Sequence, residues 1–124
     1  MKILTLMILA HILDDFVLQP QCLSDLKQKE WWYKRGIWKG KYKLDFLCAG
    51  LIHAISWSIL ISLPIIFLGD ITGPKEIYLG IAIILNMVIH FIVDNFKANL
   101  KVLNLWQDQL IHFVQIFILY EIFT

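Results

Sequence analysis

At 124 residues the chain is the size of one domain. Its 59% hydrophobic content and mean hydropathy of +0.69 exclude an ordinary soluble globular composition. The formal net charge of +1 says little by itself, because the charges are unevenly placed, and two cysteines, Cys22 and Cys48, with no CxxC pair suggest neither a disulfide framework nor a cysteine zinc site.

The first apolar segment runs from Ile3 to about Gln19, ILTLMILAHILDDFVLQ. Lys2 and the apolar run have the look of a signal peptide. However, a histidine and two aspartates interrupt the run and no small-x-small cleavage site follows, so the segment is expected to be a retained helix. Residues 20–44 then connect to a second segment, Asp45–Leu68. A third covers Ile77 to about Phe96 and a fourth Leu105–Phe123. A helix of roughly 20 residues crosses a bilayer, with a range of about 17–25, so all four are long enough. Lipid offers the backbone no hydrogen-bond partner, which leaves helices as the spanning structure. The expected fold is an all-α, integral membrane four-helix bundle spanning the chain as one domain.

Connection 20–44 carries Lys27, Lys29, Lys34, Arg35, Lys39, Lys41 and Lys43, interleaved with Trp31, Trp32, Tyr33, Trp38 and Tyr42. Such a segment suits the headgroup layer, with rings at the interface and cations toward anionic lipid. A nucleic-acid patch is the competing reading, and the position between two membrane helices favours lipid. Connection 97–104 carries Lys97 and Lys101, whereas 69–76 has Lys75 beside Asp70 and Glu76. The excess of Lys and Arg puts connections 20–44 and 97–104 in the cytoplasm and both termini outside. The expected partners are membrane lipids and their anionic headgroups, with no nucleic acid; homo-oligomerisation is left open.

The ionisable residues inside the apolar segments repeat in mirrored order. His11 precedes Asp15 in the first segment and His90 precedes Asp94 in the third, while Asp108 precedes His112 in the fourth; His53 stands alone in the second. Spacing i, i+4 puts each pair on one helical face. Antiparallel helices need the reversed order if histidines are to form one layer and aspartates another, about 6 Å apart at 1.5 Å per residue. Each helix supplies one of the four histidines. A lone intramembrane histidine often only hydrogen-bonds a neighbouring helix, but several carboxylates at one depth repel and desolvate one another unless a cation joins them.

His11, Asp15, His53, His90, Asp94, Asp108 and His112 are therefore the candidate ligands of a divalent metal. Zinc suits the mixture of imidazole and carboxylate, with manganese or iron open, and seven ligands leave room for two ions. Asp14, at i+3 from His11, is the candidate base for the attacking water. Lys97 and Arg35 are the candidates to meet an anionic substrate; Lys97 also suits a snorkelling interface lysine. Asn86, Asn95, Gln107, Gln109 and Gln115 are available to support the ligands. Ser56, Ser58 and Ser62 have no evident catalytic partner, and no Gly-rich phosphate loop is present.

HILDDFVLQ, the lone His53, HFIVD and DQLIH together resemble a family of small bacterial and phage membrane proteins, domain of unknown function 3307. His11, Asp15, Phe16, Leu18, Gln19, His53, His90, Asp94, Asp108, Gln109 and His112 carry that resemblance over nearly the whole chain. The likeness implies a bacterial or phage-encoded protein of the inner membrane and brings no established activity. The chain is more loosely similar to membrane-bound metal-dependent hydrolases. The function expected is a membrane-embedded metal-dependent hydrolase of phosphoesters or lipid-linked phosphates, acting through a metal-bound hydroxide. The alternatives are a metal or proton transporter and an effector with a structural metal site.

Overall fold

The structure, a computed structural model, describes residues 1–124 apart from the side chain of Lys41. The described residues are helical with no strand. The helices are α1 (Lys2–Leu13), α2 (Gln21–Leu26), α3 (Lys29–Lys34), α4 (Asp45–Leu68), α5 (Pro74–Ala98) and α6 (Leu105–Phe123). α4 packs against both α1 and α5, and α6 closes the ring between α5 and α1. Short α2 lies on α4, with α3 beside it.

The ends of these helices follow local chemistry. α5 begins at Pro74, three residues earlier than hydropathy suggests, because proline's missing N–H costs nothing in the first turn and its ring presets the helical φ. α6 begins with a capping box. The Asn104 side chain accepts from the Gln107 backbone N–H at 2.9 Å, and Gln107 Oε1 accepts from the Asn104 N–H at 3.0 Å. That fixes the register placing Asp108 and His112 one turn apart on one face.

The first segment changes pitch part-way. α1 gives way at Asp14 to a π-helical stretch, Asp14–Leu18, closed by a hydrogen bond from the Gln19 N–H to the Asp14 carbonyl at 3.0 Å. Asp14 and Asp15, at the start of this stretch, both reach His53 of α4, at 3.3 and 3.5 Å. Such π-turns are frequent at functional sites.

The interior divides into two halves. Toward the chain termini, Met7, Trp57, Ile61, Ile65, Leu79, Ile116, Leu119 and Phe123 form an apolar core. At the other end the buried side chains are polar: His11, Asp14, His53, His90, Asp94, Asp108 and His112. The outer surface is the reverse, with Leu9, Ile52, Phe67, Ile81, Leu85 and Phe117 among its many exposed large hydrophobics. Two helical stretches, Tyr42–Leu68 and Pro74–Ala98, are long and apolar enough to cross a membrane. In the first segment the α-helix stops at Leu13, and in α6 the polar residues of the site dilute the apolar run.

α4 and α5 approach closely at Gly50, where a Cβ would stand 3.1 Å from the Phe91 ring. This close approach brings His53 and His90 together, with ring centroids 5.0 Å apart.

Candidate metal centre

Three histidine rings, His11, His90 and His112, meet on Trp57, and His53 packs on His90 at 5.0 Å. His90 stacks against both Trp57 and His112, at centroid distances of 4.2 and 4.1 Å, and His11 stands edge-on to Trp57 and His112 at 5.8 Å. The aspartates lie against the rings. Asp94 spans the cluster: its Oδ2 is 3.6 Å from His53 Nε2, and its Oδ1 is 3.5 Å from His112 Nε2 and 3.8 Å from His90 Nε2. Asp15 Oδ1 is 3.5 Å from His53 Nε2, and Asp108 Oδ1 is 3.4 Å from His112 Nε2. The seven residues picked out by spacing thus share one site, though not in equivalent roles.

Hydrogen bonding sorts them. Asp14 Oδ2, Asp15 Oδ1, Asp108 Oδ1, His112 Nε2 and both ring nitrogens of His90 are buried without a hydrogen-bond partner. Buried polar atoms are ordinarily satisfied, so these need an explanation, and five of them belong to His90, His112, Asp15 and Asp108. Two groups, Asp15–His53–His90 and His90–Asp94–His112, each place three ligand atoms within 4.8 Å of one another and can hold a metal ion. Bonds of about 2.0–2.2 Å to imidazole nitrogen or carboxylate oxygen put tetrahedral ligand atoms about 3.3–3.6 Å apart, close to the separations found here.

The far edges of two rings face polar partners. His112 Nδ1 faces Gln115 Oε1 at 3.2 Å, and Gln115 spends its amide N–H groups on Asn86. Gln115 must therefore accept, which puts the His112 proton on Nδ1 and turns the Nε2 lone pair toward the cluster. His53 Nδ1 lies 3.3 Å from Asp14 Oδ2 without forming a hydrogen bond, while its Nε2 faces Asp15 and Asp94. A carbonyl partner such as that of Gln115 fixes the tautomer of a metal-binding histidine.

Three expectations change here. Asp14, read from the sequence as the base that activates water, lies on the Nδ1 edge of His53, across the ring from Asp15 and Asp94. With Oδ1 accepting from Ser56 at 2.6 Å, it is placed to orient His53. His11, read as a ligand, has both nitrogens engaged. The Trp57 indole N–H donates to its Nδ1 at 2.8 Å, so the ring proton sits on Nε2 and is donated to Gln109 Oε1 at 3.1 Å. The Gln109 amide then donates to Asp15 Oδ2 at 3.1 Å and to Asp108 Oδ2 at 3.2 Å. His11 is thus the second member of a chain that clamps two carboxylates by one oxygen each and leaves the other oxygen of each to the cluster. Arg35 is outside the site: its guanidinium lies over the Trp31 ring, 4.2 Å from the centroid, because an exposed turn offers it no nearer anion.

Lys97 does enter the site, paired with Asp108 Oδ2 at 2.5 Å. The cation that sequence reading missed is Lys27. Grouped with the other basic residues of its connection, it instead turns inward, is buried, and pairs with Asp94 Oδ2 at 2.7 Å while donating to Gln19 at 3.1 Å. Asn99, past the end of α5, holds it there. The Asn99 side chain accepts from the Lys29 N–H at 2.7 Å and donates to the Lys27 carbonyl at 3.0 Å, pinning the α2–α3 link over the site. The sequence held no signal for this beyond a lysine between two short polar turns.

A cavity of about 340 Å3 opens beside the cluster. Asp15, His53 and Asp94 line its buried side, and Lys27, Lys97 and Lys101 also border it. Lys101 is exposed and paired with Glu30 at 2.9 Å. Hydrogen bonds from Lys101 and Lys34 hold the Glu30 carboxyl down to about 2.

The fold and site thus define an all-helical protein with a buried His/Asp cluster that can hold metal. The chain belongs to the family described as protein of unknown function (DUF3307), whose model matches residues 3–124. No curated protein and no solved structure matches the chain, so the looser similarity to metal-dependent hydrolases is not shown.

Proposed function

We propose that this chain is an integral membrane four-helix bundle holding a dinuclear divalent metal centre, and that it is a hydrolase of phosphoesters or lipid-linked phosphates. The observation that carries the reading is the ring of buried, unpaired ligand atoms around Asp94. Asp15, His53 and His90 form one set of residues that would hold an ion, and His90, Asp94 and His112 the other, with Asp108 against His112. Zinc fits the imidazole–carboxylate donor set best, with manganese and iron next. Bound there, such ions supply Lewis acidity and make water acidic enough to attack at neutral pH.

The chain's own residues complete the site. Gln115 sets the tautomer of His112, Asp14 lies against the Nδ1 edge of His53, and Gln109 presents Asp15 and Asp108. Lys27 and Lys97 offset negative charge at the cavity. Structural metal sites are closed and catalytic ones keep an open side; the cavity reaching Asp15, His53 and Asp94 supports catalysis over a purely structural metal in an effector. A transporter needs polar groups through the whole bundle, and the apolar core around Trp57, Ile61 and Leu119 stands against that. The reversed distribution, polar inside and apolar outside, supports membrane embedding, since soluble monomers rarely expose apolar patches beyond a few hundred Å2. In that setting the basic connections 20–44 and 97–104 face the cytoplasm, with both termini outside, and membrane lipid is the immediate partner.

The test is metal analysis of protein purified in detergent. It is followed by a turnover screen against phospholipids, polyprenyl phosphates and nucleotides with zinc, manganese or iron supplied. Bound metal with turnover of one class supports the reading. Protein that binds no metal refutes the centre, and metal-loaded protein inert toward every class refutes the hydrolase.

A further inference from the structure

Two ammonium groups sit on the carboxylates that metal would claim. Lys27 holds Asp94 Oδ2, the oxygen that faces His53 Nε2. Lys97 holds Asp108 Oδ2, on the carboxylate whose other oxygen faces His112. Without metal the lysines do part of a cation's work. Metal loading changes the balance. Four carboxylates, Asp14, Asp15, Asp94 and Asp108, offset two divalent ions, and the two ammonium groups are then left in surplus. Both border the cavity; Lys101, which shares the exposed Glu30 carboxylate with Lys34, lies at its solvent edge, where water screens its charge.

Resting on the two-ion reading above, we infer that the metal-loaded centre binds a phosphate monoester dianion in this cavity, with Lys27 and Lys97 as its protein-borne ligands. With the water at the metals still neutral, a dianion cancels the surplus of two; a phosphodiester, carrying one charge, leaves one ammonium uncompensated. The donors suit the task. Lys27 uses two of its three N–H groups on Asp94 and Gln19, which leaves one for the cavity. Lys97 has one carboxylate partner and is partly exposed. The cavity's 340 Å3 equals about ten waters at roughly 30 Å3 each, enough for a phosphate and the first atoms of its substituent. The proposal also gives Lys27 two positions. It holds Asp94 before metal enters and turns to the phosphate afterwards, while Asn99 keeps its backbone fixed.

The experiment uses the full chain in phosphatidylcholine nanodiscs loaded with manganese, whose paramagnetism reports bound phosphate by 31P relaxation. Inorganic phosphate should bind saturably to the loaded protein and not to the metal-free protein, and dimethyl phosphate should not compete with it. Lys27→Met and Lys97→Met should each keep manganese and weaken phosphate binding about 10- to 100-fold, the scale of a charge-assisted hydrogen bond. Phosphatidic acid added to the nanodiscs separates two sources of the same chemistry. Competition with inorganic phosphate assigns the site to a lipid headgroup, and its absence to a soluble monoester. Phosphate binding that ignores metal, equal affinity for dimethyl phosphate, or unchanged affinity in both variants overturns the inference and leaves the metal centre standing. Wild-type protein that binds no manganese or zinc overturns the metal centre and this inference with it.

Discussion

Replacing His90 by leucine distinguishes a metal ligand from an ordinary buried histidine, because the two roles predict opposite responses. The ring is fully buried against Trp57 and His112, and neither nitrogen has a hydrogen-bond partner. An unsatisfied buried polar group costs about 1–3 kcal/mol, while each ring stack contributes about 0.5–1.5 kcal/mol beyond burial. Leucine removes both effects at similar volume, so the metal-free variant should melt within a few degrees of the metal-free wild type. Metal makes the difference. At a thousandfold excess over its dissociation constant, an ion that binds only the folded state adds about 4 kcal/mol. For a chain of this length that corresponds to a rise in Tm of about 12–20 °C. Thermal unfolding in detergent, with chelator and then with zinc, should show that rise in the wild type and lose most of it in His90→Leu. A variant that keeps the full zinc-induced rise would refute ligation by His90. A wild type that shows none would remove the reason for five unpaired atoms in one cluster.

Asp14→Asn should weaken metal binding about 10- to 100-fold, the usual effect of losing the partner of a ligating histidine, as measured by competition with a chromogenic chelator; unchanged affinity with lost turnover would restore Asp14 as the base. His11→Gln should leave the number of imidazole ligands seen by X-ray absorption unchanged while loosening the metal, because His11 acts through Gln109; a fall in that number would make it a ligand. Asn99→Ala frees the α2–α3 link and should increase proteolysis between Leu26 and Lys29, with metal content retained. A cysteine at Lys39, once Cys22 and Cys48 are replaced, should resist impermeant thiol reagents in intact cells, and labelling from outside would invert the orientation.

Legibility in the sequence followed periodicity. The four long helical segments and the seven His and Asp positions could be read because i, i+4 spacing and apolar runs are local signals. What local spacing could not give was role. His11 and His90 have the same i+4 partner, yet one is engaged at both nitrogens and the other at neither. The difference lies in Trp57 and Gln109, which come from other helices. Asp14 and Asp15 could not be sorted either, since i+3 and i+4 from His11 fall on one helical face and spacing does not tell which edge of His53 each will meet.

Lys27 shows why charge counting is a weak guide in a chain of this kind. By composition it belongs to a basic, aromatic stretch and reads as one more headgroup contact. Its burial depends on Asn99, which lies 72 positions away and ties the backbone over the cluster. A buried ammonium beside a carboxylate is costly unless both partners are satisfied, and Lys27 is satisfied by Gln19 and Asp94 together. The same arrangement ties the lysine to the cluster's state. In the proposed metal centre Asp94 would be a ligand, so a cation that took its Oδ2 would displace the Lys27 ammonium toward the cavity, with Gln19 still holding it.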